Sequence, residues 1–368
     1  MNVLLELEKH GQSVWLDYIR RDLVLNGELK RLVGRDGLSG VTSNPTIFEK
    51  AIAGSSQYDE ALRESVARKP SADPGAVYDG IAVEDVRNAA DLLRPFYEAS
   101  GGADGFVSIE PPPQLTSGIQ STVQEARRLR QLVNRPNVMI KIVATKDGVA
   151  AVEALTAEGL NINITLIFSL HHYEAVALAW IRGLQRCPSP EKVASVASFF
   201  VSRVDTQVDK ALTAIGSPEA LALRGKIAIA NAKAMYQRFR EIFQGHEFSA
   251  LQHRGARVQK PLWASTGTKN PDYSDVLYVE ELIGPDTVNT IPPETLAAFR
   301  DHGRVRGATV LDNGPEAQNQ LTALANLGVD LNLIADRLQV DGVASFASAY
   351  DRVLAAIVTK RRELASVS

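Results

Sequence analysis

Apolar and polar positions follow two rhythms along this chain. Short runs rich in β-branched residues and bounded by turn formers recur eight times, which is how strands buried on both faces of a parallel sheet read. They are residues 13–19 (SVWLDYI), 40–47 (GVTSNPTI), 106–110 (FVSIE), 137–143 (NVMIKIV), 161–167 (NINITLI), 197–203 (ASFFVSR), 261–265 (PLWAS) and 287–291 (TVNTI). Most are separated by segments with apolar residues at helical spacing, clearest over 125–134, 148–158, 170–186 and 218–244. Strands alternating with helices predict βαβ units on a parallel sheet. Eight such units closing on themselves predict a (β/α)8 TIM barrel.

Two stretches exceed what a barrel of ~250 residues needs. Residues 49–104 carry helical patterns at 55–67 and 83–99, separated by a proline- and glycine-containing stretch at 69–80. Residues 291–368 follow the last strand, with helical patterns at 316–327 and 332–363. Neither holds a strand set of its own. The length of 368 therefore reads as one decorated barrel domain, 1–368, with added helices after the second strand and at the C-terminus. No solenoid repeat or low-complexity tract interrupts the pattern.

Composition narrows the partners. Hydrophobic residues make up 45% and charged residues 23%, as in ordinary globular proteins. Forty Lys and Arg against 43 Asp and Glu leave a net charge of −3, so nucleic-acid or anionic-membrane binding through bulk charge has no support. Cys187 is the only cysteine, which forbids an intrachain disulfide and fits a reducing compartment. The first 16 residues lack the basic start and long apolar stretch of a signal peptide. The apolar runs, such as the one around Phe199 and Phe200, are far too short to span a membrane. The expectation is a cytoplasmic protein without membrane or nucleic-acid partners; monomer and homodimer are equally open.

The informative feature is polarity inside the strands. Asp17, Asn44, Glu110, Lys141, Asn163, Thr165, Ser198 and Ser265 fall in seven of the eight runs. In a parallel barrel such residues converge on the mouth at the strands' C-terminal ends. Lys141 lies alone in NVMIKIVAT, and burying an unpaired ammonium is costly. Either the run is an edge strand, or the lysine stem snorkels to solvent, or desolvation frees the amine to form a Schiff base with a carbonyl. Glu110 stands before Pro111, Pro112 and Pro113, which stiffen the strand exit. It is either a proton donor and acceptor beside the lysine or a strand-end carboxylate facing solvent. Asp17 is either a site acid or a partner for Arg20 and Arg21. Pro45 holds Asn44 extended and fixes where its amide points, although TSNP by itself reads as a turn more often than as a binding site. Asn163 and Thr165 share strand parity, and Asn161 shares it at the expected solvent-facing start. Ser265 opens the small-residue run STGTK, which is either an ordinary flexible loop or a cradle where backbone N–H groups and Lys269 suit a phosphate. Arg203 either reaches a phosphate from the loop or pairs with Asp205 on the surface.

The segments GVTSNPTIF, FVSIE, NVMIKIVAT, GLNINITLIFS, SFFVSR and PLWASTGTK, in this order, resemble the transaldolase family over essentially the whole chain. The most specific elements are the lysine strand and the NINITLIF strand about 20 residues further on. The resemblance implies a class I aldolase-type barrel without metal or organic cofactor. Its implied partners are sugar phosphates, between which a dihydroxyacetone unit moves in the non-oxidative pentose phosphate pathway. Sedoheptulose 7-phosphate or fructose 6-phosphate would be the donor, and glyceraldehyde 3-phosphate or erythrose 4-phosphate the acceptor. It implies Lys141 as the Schiff-base lysine, Glu110 as an acid acting through water, and Asp17 as the acid/base for a sugar hydroxyl. It also implies Asn44, Asn163, Thr165 and Ser198 as site-lining residues, with Arg203 and Ser265 near the phosphate. One departure matters: many family members have an arginine where Gly267 stands here, which shifts the expected phosphate cation to Lys269.

Three rival readings compete with transfer. A fructose 6-phosphate aldolase-type lyase would have to protonate the enamine, and Phe200, at the strand position suited to that task, has no hydroxyl. A non-catalytic sugar-phosphate-binding barrel would have no use for Lys141, Glu110 and Asp17 together. A metal-dependent aldolase lacks ligand spacing: His171 and His172 are adjacent and read as an exposed helix start, and His246 and His253 are seven apart.

Overall fold

In the computed structural model, which describes residues 2–69, 71–115 and 118–366, each of the eight apolar runs supplies one strand. They are β1 (Gln12–Leu16), β2 (Leu38–Val41), β3 (Phe106–Ile109), β4 (Val138–Val143), β5 (Ile162–Ile167), β6 (Ser195–Phe200), β7 (Gln259–Ala264) and β8 (Thr287–Ile291). All pair in parallel in sequence order, and β8 closes onto β1 with Gln12 opposite Thr287 and Leu16 opposite Ile291. The result is a closed (β/α)8 barrel. No helix among the described residues is long and apolar enough to cross a membrane.

Several boundaries differ from the sequence reading. β1 ends at Leu16 and β2 at Val41, so Asp17 and Asn44 lie just beyond their strands. Pro45 has no N–H to extend a ladder, and its fixed φ suits the first position of a helix. Asn44 accordingly caps the helix Pro45–Ala53, its side chain accepting Ile47 N–H at 3.0 Å. β6 stops at Phe200, and Arg203 rides on the helix Ser202–Ile215. The stretch expected to separate two helices at 69–80 is partly helix: Pro74–Ala99 starts inside it, with Asp73 as cap and Pro74 in the first turn. Conversely, 218–244 is two helices, Pro218–Leu221 and Ile227–Phe243, parted where Gly225 adopts a φ of +70°. Asn161, expected at a solvent-facing start, is buried. Its amide donates to Pro136 O and accepts Ala194 N–H, tying β4, β5 and β6 together at their base.

Trp15 is fully buried and projects into the base of the barrel. Trp15 lies against Gly40 on the neighbouring strand, where a Cβ would overlap the indole, and its Nε1 donates to Asp104 at 2.9 Å. Higher in the barrel the filling turns polar. Asn163 receives the Ser198 hydroxyl at 2.6 Å and donates to Ser108 at 3.0 Å, linking β3, β5 and β6 across the interior.

The two extra stretches meet each other. The 36-residue C-terminal helix Leu331–Ser366 packs on Pro45–Ala53, Asp59–Arg68 and Pro74–Ala99. Ion pairs Arg352–Glu49 (2.6 Å) and Lys360–Asp59 (2.9 Å), and an edge-to-face contact between Tyr78 and Tyr350, fasten them. The same helix reaches the end of β5.

Replacing Gly40 by Ala should overpack Trp15 and cost roughly 1–3 kcal/mol of stability, read from the denaturant midpoint. An unchanged midpoint would mean that the indole has room to move.

Candidate active site

A cavity of about 350 Å³ opens at the C-terminal ends of the strands. Of the ten side chains singled out in the sequence, Asp17, Asn44, Lys141, Thr165, Ser198, Arg203, Ser265 and Lys269 line it. Glu110 and Asn163 stand behind that lining, each in contact with one of its members.

Lys141 is only 6% exposed. Its Nζ donates to Ser43 O at 3.1 Å, lies 3.4 Å from Glu110 Oε2, and sits 5.8 Å from the centre of the Phe346 ring. The stem therefore does not snorkel to solvent, and Glu110 does not face it either. Burial raises the Glu110 carboxyl above its usual range, with the charge of Lys141 opposing. Glu110 Oε2 is buried and has no hydrogen-bond partner. One carboxylate oxygen beside the amine is thus uncommitted, where a buried acceptor normally finds a donor.

Asp17 lies deep in the cavity, partly exposed to it. Arg20 pairs with Asp22, and Arg21 with Asp85 and Glu84, so neither arginine neutralises Asp17. Its Oδ1 accepts the Thr42 hydroxyl at 2.8 Å, and Thr42 in turn contacts the Thr290 hydroxyl at 2.6 Å. Burial raises its pKa, with the charge of Lys141 and the Thr42 hydrogen bond opposing. The cavity thus holds two carboxyls of raised proton affinity and a buried lysine, groups suited to acid–base and nucleophilic work.

Two strand exits lining the cavity are strained. Leu166 has φ +60° where the register of β5 against β6 shifts, and Ser265 has φ +56° just past β7. Left-handed backbone is uncommon for residues other than glycine, and a β-bulge re-aims the side chains around it. Next to Leu166, the Thr165 hydroxyl is buried without a partner. Leu166 is held from outside the barrel: Gln339 of the C-terminal helix donates to both Leu166 O and Ala144 O at 3.0 Å. Ser265 is held by Ser202, whose N–H donates to Ser265 O at 3.1 Å, the two hydroxyls lying 2.9 Å apart.

The outer part of the cavity is cationic. Arg203 stacks on Phe200 at 5.2 Å and, among the described residues, forms no ion pair; neither does Lys269. Asp205, offered by the sequence as a partner for Arg203, instead accepts Ala228 N–H and the Tyr278 hydroxyl, both at 2.8 Å. Sequence reasoning missed Thr42, Thr290, Lys50 and Phe346, all on the cavity wall. TSNP and TVNTI carry a weak signal for the threonines; nothing local marks Phe346, whose role depends on where the last helix lies. His172, expected at an exposed helix start, is buried. It lies 2.9 Å from Asp336, joining the start of the helix Leu170–Arg186 to the C-terminal helix. Among the described residues no three His, Cys, Asp or Glu side chains gather as metal ligands would.

Burial pushes the Asp205 carboxyl up to about 7. Between the ordinary value of ~3.9 and that point the folded protein holds a proton that the unfolded chain has released. The associated stabilisation is present at acidic pH and is lost as pH rises through about 7. In an Asp205→Asn variant the new amide can still accept from Ala228 and donate to Tyr278. This variant should therefore gain stability relative to the parent between about pH 5 and about pH 8, by a few kcal/mol at ~1.4 kcal/mol per pKa unit. Chemical unfolding at the two pH values measures this, and a constant difference would contradict it.

A family model described as Transaldolase/Fructose-6-phosphate aldolase matches residues 14–357. The chain is 48% identical over 362 residues to a protein named Transaldolase from Thiobacillus denitrificans, covering 97% of this chain and 100% of that one. It is 47% identical over 360 residues to Transaldolase of Frankia alni, covering 97% and 96%. Against Transaldolase 2 of Nostoc sp. the identity is 44% over 383 residues, covering 100% of both.

Proposed function

The chain belongs to the transaldolase/fructose-6-phosphate aldolase family, and on that footing we propose that its cavity transfers a dihydroxyacetone unit between sugar phosphates through an imine on Lys141. Its activity is that of a transaldolase. The observation that carries the residue assignment is the Lys141 amine, buried at the cavity floor 3.4 Å from a Glu110 oxygen with no other partner.

The chemistry follows from these positions. Lys141 first passes a proton to Glu110, 3.4 Å away, and its free amine then attacks the C2 ketone of the donor to give a carbinolamine. Glu110, protonated more readily than an exposed carboxyl, gives a proton through a water to the departing hydroxyl, and a protonated imine forms. Asp17, a stronger base than an exposed aspartate, takes the C4 hydroxyl proton. The C3–C4 bond breaks, its electrons enter the imine, and the aldehyde leaves. The three-carbon enamine stays on Lys141 until an acceptor aldehyde arrives and the steps reverse.

Asn44, Asn163, Thr165 and Ser198 offer polar groups to the sugar hydroxyls, directly or through one another. Arg203, Lys269 and Ser265 receive the phosphate at the outer end, with Lys269 supplying the cation that Gly267 does not. Cleavage without transfer would require a proton on the enamine carbon and hydrolysis of the imine. Phe200, on the cavity wall, brings no hydroxyl for that step. We read the added helices as part of one barrel unit and assign the protein to the cytoplasm, in keeping with a single, buried, unpaired Cys187.

With fructose 6-phosphate as donor, sedoheptulose 7-phosphate should form only when erythrose 4-phosphate is added, and little free dihydroxyacetone should appear without it. Dihydroxyacetone release at a comparable rate without acceptor would contradict transfer. Lys141→Met should abolish turnover yet remain folded, because Glu110 left behind can take up a proton. Residual transfer by that variant would remove Lys141 from the mechanism.

A further inference from the structure

The helix Ser202–Ile215 begins at the cavity with Ser202 and Arg203 and carries two more acids, Asp205 and Asp209, on its buried face. They are one turn apart, and among the described residues neither forms an ion pair. Buried carboxylates without a cation are costly, so their hydrogen-bond partners must compensate. Each takes one backbone N–H from the start of the Ile227–Phe243 region and one tyrosine hydroxyl from the β7–β8 connection. Asp205 accepts Ala228 N–H and Tyr278. Asp209 accepts Gly225 N–H at 3.0 Å and the Tyr273 hydroxyl at 2.7 Å.

That connection is the segment bearing Ser265 and Lys269. Its tip is closed on itself, Thr268 donating to Ser274 O at 2.8 Å and Tyr273 N–H to Asn270 O at 3.2 Å. It is fastened to the Ser202–Ile215 helix at two points, by Ser265 on Ser202 and by Tyr273 on Asp209, with Lys269 between them. The Tyr273 ring covers Gly225 so closely that a Cβ there would lie 2.8 Å from it. Both the ring and the hydroxyl of Tyr273 therefore have a fitted seat, although the tip around them is exposed.

We propose that Asp209 and Tyr273 are positioning residues that hold Lys269 over the cavity and thereby set the affinity for the phosphate end of the substrates. The proposal rests on the reading of Arg203 and Lys269 as the phosphate-binding cations. An exposed lysine on a free loop loses conformational freedom when it engages a phosphate; one on a loop fastened at both ends has lost much of it already. Neither Asp209 nor Tyr273 lines the cavity, so their effect passes through Lys269.

The test compares Tyr273→Phe, Asp209→Ala, their combination, and Lys269→Ala. Tyr273→Phe keeps the ring on Gly225 and removes only the hydroxyl. It should raise KM for fructose 6-phosphate and erythrose 4-phosphate about tenfold with kcat nearly unchanged, and weaken inhibition by inorganic phosphate by a similar factor. Asp209→Ala, which leaves the Tyr273 hydroxyl without its acceptor, should act in the same direction, and the double variant should be no worse than the more affected single one. Inactivation by borohydride with dihydroxyacetone, which carries no phosphate, should proceed at the parent rate. A parent-like KM in Tyr273→Phe, beside a raised KM in Lys269→Ala, would overturn the positioning role and leave the phosphate assignment standing. Equal losses in KM and in dihydroxyacetone trapping would also overturn it, by marking a general structural role. An unchanged KM in Lys269→Ala would overturn the phosphate assignment itself, and the proposal with it.

Discussion

An amine and a carboxylate 3.4 Å apart at the floor of a sealed barrel constrain everything built around them. Neither Lys141 nor Glu110 can be satisfied by bulk water, because both are buried. The interior around them cannot be purely apolar, since an isolated charge there would be prohibitively expensive. The Ser43 carbonyl answers the amine directly, and the Asn163–Ser108–Ser198 link keeps the neighbouring strands in fixed relation. Asp17 lies far enough away to avoid an ion pair yet close enough for the Lys141 charge to oppose its burial. Three titratable groups thus share one cavity while each keeps its own surroundings, which lets one accept a carbonyl while the others move protons.

The strands alone do not complete that cavity. The added helices after β2 and at the C-terminus pack on each other, and the last of them crosses to the barrel mouth. There Phe346 covers the Lys141 amine, and Gln339 ties off the carbonyls of Ala144 and Leu166. The two carbonyls belong to the exits of β4 and β5, the strands of Lys141 and of Asn163 and Thr165. Strain at Leu166 is stored where the C-terminal helix can hold it, as expected when surrounding contacts over-determine an unfavourable backbone. On the opposite side, Ser265 is held in the same way by Ser202. The excess chain length therefore furnishes walls and fasteners for the site.

How much of this was legible in the sequence depends on how local each signal is. The strands were legible because burial on both faces makes them apolar throughout, and Lys141 because a single charge then has no ordinary place. Asp17, Asn44 and Arg203 were found, but their local structure was misjudged. Each follows a strand whose apolar pattern runs past its last paired residue, so pattern alone extends the strand over them. Pro45 was the cue to a helix start that outweighed the strand pattern. The split at Gly225 depends on a left-handed backbone and a tyrosine from a distant segment, and neither leaves a periodic trace. Phe346, Gln339 and the pairing of Asp209 with Tyr273 were illegible for the same reason. Their partners lie tens to hundreds of residues away, and their own surroundings read as ordinary amphipathic helix or polar loop.

The most direct measurement is the site of covalent capture. Borohydride reduction in the presence of fructose 6-phosphate, followed by peptide mass mapping, should leave a three-carbon adduct on Lys141 and on no other lysine, in step with loss of activity. Inactivated protein with Lys141 unmodified, or with the adduct on another lysine, would contradict the assignment.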